Sequence, residues 1–228
     1  MVQPTMHGEL VVVDDVPGEF AERVIEAFHR RPNDGFSIAL SGGETARRCY
    51  ERLADDAGSQ IDWWQVDVYW GDERCVPLDS PDSNYRLGRE ALLERLGAVN
   101  ANYPMRCDEG ADPYQLRLGQ LGRIDVVHLG LGADGHTASL FPDSPALDAD
   151  PGRLVVMNAD PSGRNPYPRM TLTYAGIERA RLVLITVSGE EKSDALARIA
   201  AGEDLPAARV RAEQVLWLVD PAAAAKLP

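Results

Sequence analysis

Apolar residues along the chain fall into short blocks, not one long periodic run. The blocks at 9–13, 36–40, 66–70, 124–129, 154–157, 181–187 and 214–219 are rich in Val, Ile and Leu and lack strict alternation. That pattern predicts parallel strands buried on both faces. Between the blocks the apolar period lengthens. Phe20, Val24, Ile25 and Phe28 share one face of a predicted helix over 17–30. Leu87, Ala91 and Leu92, with Leu96 a turn further on, do the same over 84–96, as do Ala195, Leu196 and Ile199 over 190–200. Another helical pattern, with Cys49, Tyr50 and Leu53, follows the second block. Near the end, Asp220-Pro221 reads as the cap and first residue of a short Ala-rich helix.

Strands alternating with helices predict an α/β fold, a doubly wound, mostly parallel sheet with helices on both faces. The Pro/Gly-rich patches at 142–152 and 160–168 are short enough to be loops, so residues 1–228 read as a single domain. No internal repeat is visible, and the only low-complexity tract is the alanine run at 222–225.

Composition narrows the function. A net charge of −13 argues against nucleic-acid binding, which needs a basic face. It also means that an anionic ligand requires a local cluster of Arg or Lys. No apolar run approaches the roughly 20 residues of a membrane span, and the N-terminus lacks the charge and apolar pattern of a signal peptide. The three cysteines, Cys49, Cys75 and Cys107, are odd in number and widely spaced. They are expected to be free thiols in a reducing cytoplasm.

In open α/β sheets, ligands sit beyond the carboxyl ends of the strands. Ser41-Gly42-Gly43-Glu44-Thr45 follows the second block and precedes a helix. It is either a phosphate cradle of backbone amides or a tight turn with Thr45 as cap. Gly71-Asp72-Glu73-Arg74 follows the third block, and the planar fork of Arg74 suits phosphate, with Asp72 or Glu73 to hold it. Ser188-Gly189-Glu190-Glu191-Lys192 opens a helix, where a lysine opposes the dipole unless it meets an anion. Arg169 precedes Thr173, which is placed to cap a helix over 174–177. Each of these segments, taken alone, also reads as ordinary surface.

The stretch 130–135 contains Gly130-x-Gly132-x-x-Gly135 after a strand, the spacing of a dinucleotide fingerprint. Asp134 would repel a pyrophosphate in that turn. Pro142 and Pro145 cut the predicted following helix to about two turns, and the pattern lies past mid-chain. The turn is better read as a mount for Asp134 and His136, a minimal general-base pair. Of the four histidines, His7 and His29 are expected to be exposed and His128 to be packed in the core. No His or Cys cluster completes a metal site around Asp134 and His136. Ser139, a helical turn beyond His136, stays open as a nucleophile.

These segments, "SGGET", "GDERCVP" with "SNY", "GLGADGHTASLFP", "PRMTLT" and "SGEEK", occur in the order seen in 6-phosphogluconolactonases, and the chain resembles that family over about residues 9–220. The wider group includes the glucosamine-6-phosphate isomerases (deaminases). The resemblance implies a modified Rossmann-like sheet without nucleotide cofactor, and no metal is expected because no ligand set is complete. It implies hydrolysis of 6-phospho-D-glucono-1,5-lactone in the oxidative pentose phosphate pathway. Nothing in the sequence suggests an obligate interface, so a monomer or weak oligomer is expected, in the cytoplasm that free thiols imply. The resemblance also implies that His136 is the base with Asp134 in support, and that Arg74, Lys192, Gly42, Gly43, Thr45 and Arg169 hold phosphate. Asp72, Gly132 and Gly135 support the site. Ala46 stands where the family turn usually has proline, and Glu44 is expected to point to solvent.

The deaminases carry a glutamate five residues after the histidine, where this chain has Phe141, and a tyrosine where it has Arg74. A deaminase is therefore the weaker alternative. A non-catalytic phosphosugar-binding protein would be expected to lose His136 or Asp134, and both are present.

Overall fold

The computed structural model describes residues 6–228. Ten strands run through them in chain order: β1 (Glu9–Val12), β2 (Phe36–Leu40), β3 (Val66–Trp70), β4 (Asp72–Arg74), β5 (Ala101–Asn102), β6 (Ile124–Gly130), β7 (Val155–Asn158), β8 (Arg169–Leu172), β9 (Ala180–Val187) and β10 (Gln214–Val219). Seven form one parallel sheet in the order β1-β10-β9-β6-β2-β3-β5. Every residue of β2 is buried, so helices and loops cover both faces of the centre, as the unbroken apolar blocks require. The helix Val16–Arg30 lays Phe20, Val24, Ile25 and Phe28 onto the core, and the Asp15 carboxylate caps it by accepting from the Gly18 amide at 3.0 Å.

A second, antiparallel sheet, β4-β8-β7, stands beside the first. Gly71 joins the two. Its amide donates to Leu40 O at the end of β2, and its carbonyl accepts from the Leu172 amide at the end of β8. The block at 154–157 was expected in the parallel sheet; β7 belongs to this small sheet instead, paired with β8. A four-residue apolar strand carries no sign of which sheet will take it.

Local expectations fare unevenly. Thr173 caps the helix Tyr174–Ile177 by accepting from Gly176 N. The helix over 84–96 forms as one irregular run with a π-helical middle, Arg89–Leu93. The helix over 190–200 begins as a 3₁₀ turn, so Lys192 lies just before the α-helix Ser193–Ala200. The last segment is a 3₁₀ turn, Ala223–Lys226, with Asp220 accepting from the Ala223 amide. The helix Ala111–Leu121 was not foreseen. The predicted helix after Gly135 does not form. Residues 133–141 make tight turns with one bridge, Thr137 to Leu140, because Thr137 Oγ1 donates back to Gly130 O at 2.8 Å.

The cysteine expectation is overturned in part. Cys75 and Cys107 form a disulfide, with Cα atoms 5.3 Å apart, that ties the chain after β4 to the turn Cys107–Glu109. Spacing along the sequence could not reveal that the fold brings them together, and the cysteine count no longer argues for a reducing compartment. Cys49 is free and buried.

Candidate active site

The strand order reverses between β2 and β6, since β2 leads on to β3 on one side and β6 to β9 on the other. A cleft of about 330 Å³ opens beyond their carboxyl ends. His136, Arg74, Lys192, Gly42, Gly43, Thr45, Arg169, Asp72 and Gly132 all line it. Asp134 lies behind His136, and Gly135 holds the same turn with φ +87°.

His136 Nδ1 donates to Asp134 Oδ1 at 2.5 Å, and the His136 amide donates to the same oxygen at 3.1 Å. A carboxylate only accepts, so the Nδ1 proton is fixed and Nε2 is left with a lone pair. Burial opposes ionisation of Asp134, but the hydrogen bond and charge of His136 outweigh it and hold the carboxyl below its ordinary value. The ring packs against Phe141, centroids 5.0 Å apart. Gly132 lies so close that a Cβ there would stand 2.1 Å from His136 Nδ1. That approach accounts for this glycine.

The cations come from separate strands. Arg74 and Arg169 are direct partners across the β4–β8 pair. Their Nε atoms are both buried without a hydrogen-bond partner. Like charges placed opposite each other repel, so the pair calls for an anion between or beside them. Arg169 is almost fully buried, and burial pulls its guanidinium below the ordinary value against the pull of Asp72. Neither Asp72 nor Glu73 holds the Arg74 guanidinium, contrary to expectation. Arg74 Nη1 donates to Asp82 O at 3.2 Å. The Glu73 carboxylate is buried and accepts from the amides of Arg74, Asn84 and Tyr85. Among the described residues no carboxylate pairs with Lys192.

Thr45 is not the cap of its helix. Gly43, with φ +96°, holds that position without a side chain to satisfy the first amides of Glu44–Ala57. Gly43, Glu44, Thr45 and Ala46, which carry these donors, line the cleft, and uncapped amides at a helix start suit an anion. Glu44 is exposed, its nearest cation Arg48 at 4.0 Å. His128 forms the floor of the cleft, fully buried as expected, with Nδ1 on Tyr50 Oη at 2.8 Å and Nε2 on Thr186 Oγ1 at 2.9 Å. Ser139 is no nucleophile, since its buried hydroxyl donates to Asp72 Oδ2 at 2.6 Å.

Asn84 and Asn165 also line the cleft; the first belongs to the "SNY" segment but was given no role from sequence, and the second was not singled out. Asn84 Nδ2 donates to Asp72 O and Oδ1, and its side chain fills the space that a Cβ on Gly42 would need. Its signal was present, because Ser83 before it is a helix cap in the connection that follows β4. Asn165 sits in an irregular loop, held by Asp160, and carries no such mark.

The family model described as glucosamine-6-phosphate isomerases/6-phosphogluconolactonase matches residues 11–217, and the chain belongs to that family. It is 38% identical to the 6-phosphogluconolactonase of Synechocystis over 81% of each chain. It is 38% identical to that of Mycobacterium tuberculosis over 84% of this chain and 85% of the relative. The solved 6-phosphogluconolactonase of Trypanosoma cruzi superposes with a TM-score of 0.85 at 27% identity, covering 100% of this chain and 99% of that one.

Proposed function

We propose that this protein hydrolyses 6-phospho-D-glucono-1,5-lactone to 6-phosphogluconate, the lactonase step of the oxidative pentose phosphate pathway. The observation that carries the reading is a single cleft that joins an Asp134-backed His136 to the Arg74, Arg169 and Lys192 cations. The substrate has one dianionic end and one electrophilic carbonyl, and the cleft has a counterpart for each.

The phosphate is held by Arg74, Arg169 and Lys192, with the amides of the Gly42–Gly43 turn and Thr45. This leaves the lactone C1 facing His136. His136 Nε2 takes a proton from water as its oxygen attacks C1, giving a tetrahedral oxyanion. Collapse breaks the bond from C1 to the ring oxygen. The imidazolium, stabilised by Asp134, returns its proton to that oxygen. Phe141 is buried under the His136 ring, so the position of the deaminase glutamate is hydrocarbon here. The reading extends to a monomer or weak oligomer in the cytoplasm. Among the described residues no helix is long and apolar enough to cross a membrane. The large exposed apolar side chains, Val12, Trp64, Leu116, Met157 and Tyr167, lie on separate elements.

The test is lactone generated in place and coupled to 6-phosphogluconate oxidation. Wild type accelerates hydrolysis, and His136→Ala lowers kcat/KM by about 10²–10⁴-fold. Full activity in the variant would remove His136 as base, and ammonia release from glucosamine-6-phosphate would overturn the lactonase reading itself.

A further inference from the structure

The base and the arginines stand on different sheets. His136 belongs to the turn after β6, in the large parallel sheet, whereas Arg74 and Arg169 belong to β4 and β8 of the small one. Catalysis by positioning requires these groups at a fixed separation, and a misplacement of about 1 Å costs about 10²-fold. Something must set the small sheet against the His136 turn.

Ser139 makes that connection with every polar group it has. Its hydroxyl donates to Asp72 Oδ2 on β4 at 2.6 Å. Its amide donates to Thr171 Oγ1 on β8 at 3.2 Å. Its carbonyl accepts from Asn158 Nδ2 on β7 at 2.7 Å. One residue therefore bonds to each strand of the small sheet, and it is fully buried.

The strand register shows why this matters for the arginines. Asp72 and Arg74 are two apart on β4, so they share a face, as do Arg169 and Thr171 on β8. Asp72 opposes Thr171, Arg74 opposes Arg169, and Asn158 opposes Arg169. The three partners of Ser139 thus lie on the face that carries both arginines. On its other side, the turn is fixed to β6 by Thr137 Oγ1 on Gly130 O and closed by the Gly132 amide on His136 O. Ala138, between these anchors, takes φ +48°, a left-handed conformation that costs energy for a residue with a Cβ. The turn is bent there, and the bend directs Ser139 into the small sheet.

We infer that Ser139 is a positioning residue for the reaction: it sets the separation between the general base and the anion-binding arginines. It touches no substrate. The inference rests on the lactonase reading above, with His136 as base.

Ser139→Ala tests it. The expected result is a loss of about 10- to 100-fold in kcat, with the competitive inhibition constant of inorganic phosphate within about twofold of wild type. Phosphate needs only the arginine end of the cleft, so a general collapse of the site would weaken it in step with kcat. In the His136→Ala background the serine change adds almost nothing further, because both act through the same base. Thr171→Val removes the second tether from the other side without changing shape, and gives the same pattern at smaller size even if Ser139→Ala folds poorly. Unchanged kcat in both variants overturns the inference, as does phosphate affinity falling with kcat, or full additivity with His136→Ala. Failure of the lactonase reading is distinguished by its own controls, since wild type would then be inactive or His136→Ala fully active.

Discussion

His136 and Asp134 lie two positions apart on one turn, and the proton between them decides which ring nitrogen can act. With Nδ1–H donated to Asp134, the lone pair is on Nε2. Asp134→Asn keeps an oxygen that can accept from both the His136 amide and Nδ1–H, but it removes the negative charge that stabilises the imidazolium formed in the reaction. The expected result is a fall in kcat of about 10²–10⁴-fold. KM for the lactone changes little, because the arginines are untouched. Steady-state kinetics with a circular-dichroism check of folding measures both, and a kcat within threefold of wild type would count against a role for the Asp134 charge. Gly132→Ala reaches the same atoms by steric means. Its Cβ would lie 2.1 Å from His136 Nδ1 and 2.8 Å from Asp134 Oδ1, so the ring must move. A kcat loss of about 10²-fold or more is expected, with a normal far-ultraviolet spectrum. A kcat near wild type would mean that the ring position is not critical.

Paired strands explain both the best and the worst of what the sequence disclosed. The buried parallel strands were legible because being covered on two faces leaves an unbroken apolar block, as in β2 and β6. The small sheet was not. Its strand β4 is Asp72-Glu73-Arg74, three charged residues that form a strand only because β8 lies beside them. The same blindness hid the Cys75–Cys107 bridge and the contacts of Ser139, whose partners are 67, 32 and 19 residues away. The strand-end cations Arg74 and Lys192 were visible from position alone, but that Arg74 and Arg169 face one another was not. Their pairing yields a test of the element. Phosphate at about 100 times its Kd should stabilise the fold by about 2.7 kcal/mol. For a chain of this length that is roughly 5–10 °C in Tm. Arg169→Met should remove most of that shift and raise KM for the lactone about 10- to 100-fold, the loss of one charge-assisted contact. A full phosphate shift in the variant would exclude Arg169 from the anion site.

At the scale of the whole molecule, the cleft floor links function to acid stability. His128 joins β6 to the helix Glu44–Ala57 through Tyr50 and to β9 through Thr186, and it is wholly enclosed. Burial pushes its imidazole down to about 3. In the unfolded chain a histidine titrates near 6.5. Between those values the unfolded state binds a proton that the native state refuses, so stability is complete above about pH 6.5 and falls as the pH drops. The slope approaches about 1.4 kcal/mol per pH unit once the unfolded histidine is mostly protonated. Lower down, other buried carboxyls interfere with opposite signs. Burial raises Glu73 against the pull of three backbone hydrogen bonds, so the native state holds its proton more readily there and part of the loss is offset. Asp134, held low, adds to the loss only when the pH falls below the ordinary carboxylate range. The window from about pH 6.5 to 5 therefore belongs mainly to His128. Urea unfolding at intervals across that window should show the stability of wild type declining. His128→Gln, which keeps a donor and an acceptor but cannot titrate, should be less stable at neutral pH and should lose that part of the decline. Equal slopes in the two proteins would mean that the enclosed histidine is not what makes the fold sensitive to acid.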